Sequence, residues 1–430
     1  MTVIPKNGPA TNPGPAAALP SVNASLPQRV SGFSSICEAL DYAAQGETGY
    51  SFYNLRGEVA ATLTYAELRE RAVTLARKLA GRFTRGDRLA VIAETSPDFI
   101  VTFYACQYAG LVPAPMPMPV NLGGKDGYIN QIRQMIAGAQ AAAAVGPETL
   151  REFLDEAAGG ATVMSYSDLD ALEDAGGELQ PFGPDEFCYI QYSSGSSSAP
   201  KGVIGLQRSV CANLTAIARD GMYIQPGDRA TSWLPLYHDM GLIGFVLTPM
   251  TAQVSVDFLA TSDFVRRPLL WLRIMTDYKT TITYSPSFGY ELAAKRSARA
   301  EPGAIDLSAV RVAGIGGDMV RPEALNAFAE AFGPVGFNRN AFAPSYGMAE
   351  ATLAISFPEL GAPIMVDEVD MRHYTRSGVA QPASALTSPE HKRGFVLCGR
   401  ALPGHEIEVR GETGERCGER QVGRIYIKGP

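Results

Sequence analysis

Leu68, Ala72, Leu75, Ala76 and Leu79 recur at helical spacing, and Gly81 follows as a stop. Thr64 and Glu67 precede them in the T-x-x-E order of a capping box, so a helix is predicted to start at about residue 65. The next apolar run, "RLAVIA" (Arg88 to Ala93), is short and β-rich, as a buried strand should be. Ser96 then caps a second helix with Pro97 at its first position, running to about Tyr108 and ended by Gly110. "LVPAPMPMPV" (Leu111 to Val120) is too proline-dense for a central strand or a helix and is expected as a short extended run leading into a loop.

The same alternation continues. Helices are predicted over Tyr128 to Gln140, Arg208 to Arg219 and Phe264 to Tyr278, the last with Pro268 in its first turn. Strands are predicted ending at Val145 and over Phe187 to Tyr192, Arg229 to Leu234 and Thr280 to Ser285. Strands alternating with helices imply parallel sheets with right-handed crossovers, and there are too many for one small sheet. The fold class is therefore α/β, with two α/β subdomains of mostly parallel sheet. After about Phe395 short strands alternate with Gly-containing turns, which predicts a small antiparallel β subdomain. The expected organisation is a disordered tail over 1–27, a core over 28–395 and the start of the antiparallel part over 396–430.

Composition narrows the function classes. The 430 residues are 46% hydrophobic and 19% charged, a globular balance. A net charge of -7, from 44 acidic and 37 basic side chains, argues against a nucleic-acid binder. The Pro-, Ala-, Ser- and Asn-rich tail has no apolar core and so is not a secretory signal. No stretch reaches the roughly 20 apolar residues a membrane span needs. Six cysteines form no C-x-x-C pair and only four histidines occur, so zinc has no support. Cys37, Cys106, Cys188 and Cys211 lie in apolar patterns, as buried free thiols of a reducing cytoplasm would.

Candidate chemistry starts at "YIQYSSGSSSAPKG" (Tyr189 to Gly202). Successive N–H groups of a Gly/Ser loop can hold an anion, serine hydroxyls add donors and Lys201 adds a point charge. It is not a P-loop: Pro200 stands where the second glycine should be, and Gly202 where Ser or Thr should hold magnesium. Four further segments carry polar, aromatic or glycine signals: "WLPLYHDMGLIG" (Trp233 to Gly244), "TYSPSFGYEL" (Thr283 to Leu292), "VAGIGGDMV" (Val312 to Val320) and "APSYGMAEAT" (Ala343 to Thr352). Asp239 could simply cap a helix, Phe288 and Tyr290 could be core aromatics, and Glu350 could be a helix-start charge.

In that order these segments resemble the motifs of the adenylate-forming enzymes, which include acyl-CoA ligases, peptide-synthetase adenylation domains and fatty acyl-AMP ligases. Ser193, Ser194, Gly195, Ser196, Ser197, Pro200, Lys201 and Gly202 fit the phosphate loop, with Ser198 in place of its internal glycine. That departure and the His-Asp-Met-Gly string lean toward the fatty acyl-AMP ligase branch. Asp370 to Gly394 resembles the extra segment of that branch, thought to disfavour CoA chemistry.

The resemblance implies ATP and Mg²⁺, with His238 and Lys201 as catalytic residues and Glu350 as the metal ligand. It places Gly316, Gly317, Ser345, Tyr346 and Gly347 with the phosphate-loop residues around the nucleotide. It implies a fatty acid substrate and an acyl carrier protein, or a polyketide or peptide synthase carrier domain, as acceptor. The ribose-binding aspartate motif and the small C-terminal domain of the family are not found, so the chain is expected to be the large N-terminal domain: a fragment, an excised piece or a degenerate relative. Two alternatives stand beside this reading: an acyl-CoA ligase core, and a nucleotide- or acyl-binding module without turnover.

Overall fold

The computed structural model describes residues 18–119, 124–193 and 200–430. Two parallel sheets form the scaffold. The larger has seven strands in the order Phe342–Pro344, Val312–Ile315, Ile282–Ser285, Arg229–Ser232, Ser255–Leu259, Gly49–Tyr53 and Val59–Thr64; only the last pair is antiparallel. The smaller has four parallel strands, Val112–Met116, Arg88–Ile92, Ala143–Gly146 and Thr162–Ser165. Antiparallel pairs follow: Tyr346–Gly347 with Ala354–Phe357, Val366–Asp370 with Lys392–Val396, and Glu406–Arg410 with Arg424–Lys428. This is the α/β class expected from the alternation of strands and helices.

Local signals account for much of the element order. Thr64 and Glu67 form both bonds of the capping box, and the helix Tyr65–Ala80 buries Leu68, Ala72, Leu75, Ala76 and Leu79. Ser96 accepts from Phe99 N, and Gly110 ends the helix Pro97–Ala109 at φ 71. That helix is buried all round, which is why its apolar residues show no single face. The helix Lys125–Ala139 sets Ile129, Ile132, Met135 and Ile136 against Ile92, Met116 and Ala144 of the smaller sheet.

The proline-dense run is extended, as expected, and one predicted helix is corrected. The run contains a regular buried strand, Val112–Met116, at the edge of its sheet. Val112 N donates to Asp87 O and Met116 O accepts from Ala93 N, so even-numbered residues face the neighbouring strand. Pro113 and Pro115 alternate with them, and their missing N–H groups fall on the side away from that strand. The predicted helix Phe264 to Tyr278 is two helices, Thr261–Arg266 and Pro268–Asp277. Arg267, at φ -135 and ψ 71, is driven out of the helical region by the proline after it.

The larger sheet holds a buried ion pair. Arg229 Nε and Nη2 donate to Asp257 at 2.6 and 2.7 Å, and the two side chains are 3% and 0% exposed. Tyr53 Oη donates to the same carboxylate at 2.9 Å, and Arg229 Nη1 donates to Leu19 O, tying down the segment before the first helix. Cys37, Cys106, Cys188 and Cys211 are buried free thiols. Among the described residues no helix is long and apolar enough to cross a membrane.

Candidate functional site

Parallel strands deliver their C-terminal ends to one edge of a sheet, and ligands of open α/β sheets bind outside that edge. Four of the motif segments cross it, at the ends of Arg229–Ser232, Ile282–Ser285, Val312–Ile315 and Phe342–Pro344. Between them lies a cleft of about 290 Å³.

Gly316 and Gly317 form its floor. Gly317 has φ 74, and a Cβ there would stand 2.5 Å from Met240 Cε, while His238 Cε1 is 3.9 Å from the same point. The two segments thus meet at a glycine whose positive φ suits no side chain well. Ser345 N donates to Ile315 O at 2.8 Å, which continues the strand pairing one residue further and brings Tyr346 beside the glycines.

Gly347 follows in the strand pair. A Cβ at this position would lie 1.9 Å from Leu353 O, so only glycine lets the two strands approach. Glu350 sits in a single 3-10 turn, Ala349–Ala351, rather than at the start of a helix. The turn closes with Leu353 N donating to Ala351 O at 2.8 Å around Thr352, at φ 69 and ψ -64. This is a γ-turn of the rare, strained hand, adopted by a β-branched residue two positions from Glu350.

His238 caps the short helix Asp239–Gly241. Its Nδ1 lies 2.6 Å from Asp239 Oδ1, which also accepts from Met240 N at 2.7 Å. With its proton on Nδ1, His238 donates to this carboxylate in place of accepting from Met240 N, and Nε2 is left for a ligand. Burial pulls the imidazole pKa down, and the Asp239 carboxylate more than offsets it, so His238 keeps its proton above the ordinary histidine range. A raised histidine is cationic below its folded-state pKa and loses that charge as pH rises through it. Affinity for an anionic ligand at His238 is therefore expected to fall with rising pH, and Asp239→Asn should move the midpoint down. Titrating ATP affinity against pH in both proteins checks this; identical midpoints would contradict it.

The two strands that flank the serine-rich segment pair with each other. Phe187–Ser193 pairs antiparallel with Lys201–Leu206, with Ser193 opposite Lys201. Ser193 lines the cleft. Ser194, Gly195, Ser196 and Ser197 lie outside the described residues. Lys201 is exposed at the head of the return strand and is not among the residues lining the cleft, unlike His238 and Glu350. Both hairpin strands nonetheless contact the turn that carries Glu350.

Sequence reasoning missed several cleft residues. Gln191, 1% exposed, donates through Nε2 to Tyr237 O at 2.5 Å and so ties the hairpin to the histidine turn. Its Oε1 has no partner among the described residues. A glutamine inside an otherwise apolar strand was the available signal. The apolar end of the cleft is built by Ile217, Met222, Phe245, Tyr284, Leu353 and Phe357, with the Tyr284 ring 6.5 and 6.4 Å from those of Phe245 and Phe357. Ile217 and Phe245 come from two π-helical turns, Ala216–Gly221 and Leu242–Leu247, a local widening common at functional sites. Phe288 and Tyr290 are not cleft residues. Tyr290 is core, donating to Gly314 O at 3.0 Å, and Phe288 packs on Trp233.

Residues 43–430 match the AMP-binding enzyme family. A Caulobacter vibrioides protein that carries the name acyl-CoA synthetase is 48% identical over 404 residues, 94% of this chain and 70% of the relative. The medium-chain-fatty-acid–[acyl-carrier-protein] ligase JamA of Moorena producens is 28% identical, covering 93% of this chain and 69% of its own. A structure from work on the fatty acyl-adenylate ligases of E. coli and L. pneumophila superposes with a TM-score of 0.90 at 42% identity, over 94% of this chain and 73% of that one. The L. pneumophila fatty acyl-adenylate ligase in complex with acyl adenylate and pyrophosphate gives 0.82 at 26% identity, over 92% and 68%.

Proposed function

Because this chain belongs to the AMP-binding enzymes and is an adenylating ligase close to the fatty acyl-AMP ligases, we propose that it uses ATP to activate a fatty acid, and that the acyl group then passes to the phosphopantetheine thiol of an acyl carrier protein or carrier domain. The supporting observation is that His238, Gly316, Gly317, Ser345, Tyr346 and Glu350, drawn from three separate segments, line one cleft whose other end is apolar.

A carboxylate oxygen attacks the α-phosphorus of ATP, the bond to the β-phosphate oxygen breaks, and pyrophosphate leaves. The thiol then attacks the acyl carbon and AMP departs. Both reactants of the first step are anions, so positioning and charge stabilisation carry the catalysis. The bare backbone at Gly316 and Gly317 and the face of Tyr346 receive the adenine. Ser193, the serine-rich segment that follows it in the sequence and Lys201 hold phosphate oxygens. The His238 imidazolium, fixed by Asp239, faces the reacting carboxylate and α-phosphate. Phe245, Tyr284 and Phe357 surround the acyl chain and exclude water.

The residues fit a magnesium ion shared with phosphate. Among the described residues no group of three or more His, Cys, Asp or Glu could cage a metal alone, and magnesium typically takes one or two carboxylates together with substrate phosphates and waters. Glu350 is the exposed carboxylate on the cleft that would hold it. When bound, Mg²⁺ supplies positive charge against the phosphate oxygens. Glu350→Ala is expected to weaken Mg·ATP binding by about tenfold or more while leaving the melting temperature unchanged. Calorimetry with and without magnesium measures it; an unaltered affinity would remove Glu350 from this role.

A carrier thiol is chosen over CoA because of the segment between the strands Val366–Asp370 and Lys392–Val396. It is anchored: Arg420 makes a bidentate pair with Asp367 at 3.0 and 2.7 Å and donates to Ala380 O. The name of the Caulobacter relative favours the CoA reading. Fatty-acid-dependent pyrophosphate release tests the adenylation. Offering CoA and a phosphopantetheinylated carrier protein side by side separates the acceptors, and efficient acyl-CoA formation would refute the choice made here.

A further inference from the structure

A second cavity, also about 290 Å³, shares no residue with the cleft. Arg266, Arg267, Arg273, Arg296 and Arg299 line it, with Glu301 as its one carboxylate. Consecutive helices bring them together. Thr261–Arg266 ends in the first arginine and Arg267 follows at the break before Pro268–Asp277, which carries Arg273 seven residues after Arg266. Ser287–Arg296 packs against that helix, and the turn Ser297–Arg299 adds the fifth arginine. Pro268, Leu270 and Ile305 are buried and give the cavity apolar wall.

The five guanidinium groups outnumber the single carboxylate, Glu301. Among the described residues no carboxylate forms an ion pair with Arg266, Arg273, Arg296 or Arg299, whereas Lys295 and Arg321 nearby both pair with Glu291. Arg267 donates one N–H to Leu55 O at 2.6 Å, which fixes the guanidinium without neutralising it. Five like charges around one concavity repel one another, in a chain whose net charge is -7. An anion relieves that repulsion. Planar guanidinium groups match phosphate oxygens in pairs, and the cavity approaches the size of small-molecule sites.

We propose that this pocket binds a phosphate ester with an apolar or flat body, its oxygens on the guanidinium groups and its body on Pro268, Leu270 and Ile305. The ester can be a soluble molecule or the headgroup of an anionic phospholipid. The test uses the full chain and two probes: phenyl phosphate in calorimetry, and sedimentation with vesicles of phosphatidylcholine with or without phosphatidic acid. Arg273→Glu combined with Arg299→Glu reverses charge inside the pocket, and Arg82→Glu combined with Arg424→Glu makes the same change on exposed arginines elsewhere. All four side chains are exposed, and unchanged melting temperatures verify the fold. The pocket variant should lose about tenfold or more in affinity while the control keeps it. Loss in the phenyl phosphate arm identifies a soluble ligand; loss only of phosphatidic-acid-dependent sedimentation identifies a lipid. Absence of binding in both arms, or equal loss in both variants, would overturn the proposal.

Discussion

Alanine in place of Gly347 is expected to reduce acyl-adenylate binding by about a hundredfold, because the added methyl has nowhere to go. Its Cβ would stand 1.9 Å from Leu353 O, 2.8 Å from the carbonyl carbon and 3.2 Å from Ala354 Cα. All three are backbone atoms, so no side chain can rotate to relieve the clash. The strands Tyr346–Gly347 and Ala354–Phe357 must separate, and with them the stacking face of Tyr346 and the turn that carries Glu350. Overpacking of this kind also lowers stability, by about 1–3 kcal/mol. Calorimetry with a non-reactive acyl-sulfamoyl adenosine gives the affinity and a thermal melt gives the stability. Wild-type affinity in the variant would mean that this strand pair does not position the nucleotide.

Asp257→Ala should be the most destabilising single change, by about 3–5 kcal/mol, since it leaves the Arg229 guanidinium buried without its counter-charge. Tyr53 Oη would also lose its acceptor. Replacing both members, Arg229→Met with Asp257→Leu, should recover much of the loss, because a buried pair gives up hydration that an apolar pair never has to surrender. Arg229 opens its strand, at the edge away from the cleft. Urea denaturation of the two variants provides the comparison. A double variant no more stable than Asp257→Ala would show that hydrogen bonding to Leu19 O and Tyr53, and not the unpaired charge, dominates.

The sequence already contained the local grammar of the fold. A capping box at Thr64, a serine and proline opening the helix at Pro97 and a left-handed glycine at Gly110 act through bonds only a few residues long, so they hold wherever the segment finds itself. The break at Arg267 is equally local, set by the proline that follows it. The order of the motif segments likewise marked the family before any coordinates. The strand Val112–Met116 was different in kind. Prolines are excluded from a strand with two neighbours and tolerated in one with a free side, and edge position is a property of the assembled sheet.

The cleft divides along the same line. By itself the sequence determined which residue types could serve: glycines without side chains, a histidine beside an aspartate, and a tyrosine four residues before a glutamate. Only the tertiary structure decided that His238 approaches Gly317, that Gln191 ties the hairpin to the histidine turn, that Lys201 stands outside the cleft wall, and that Ile217, Phe245 and Phe357 close the apolar end. The five arginines of the second pocket, spread over Arg266 to Arg299, become one site only once their helices pack. The physical reason is range: caps, turns and breaks are set by neighbours along the chain, whereas a cavity is the space left between elements that meet only when the sheets have formed.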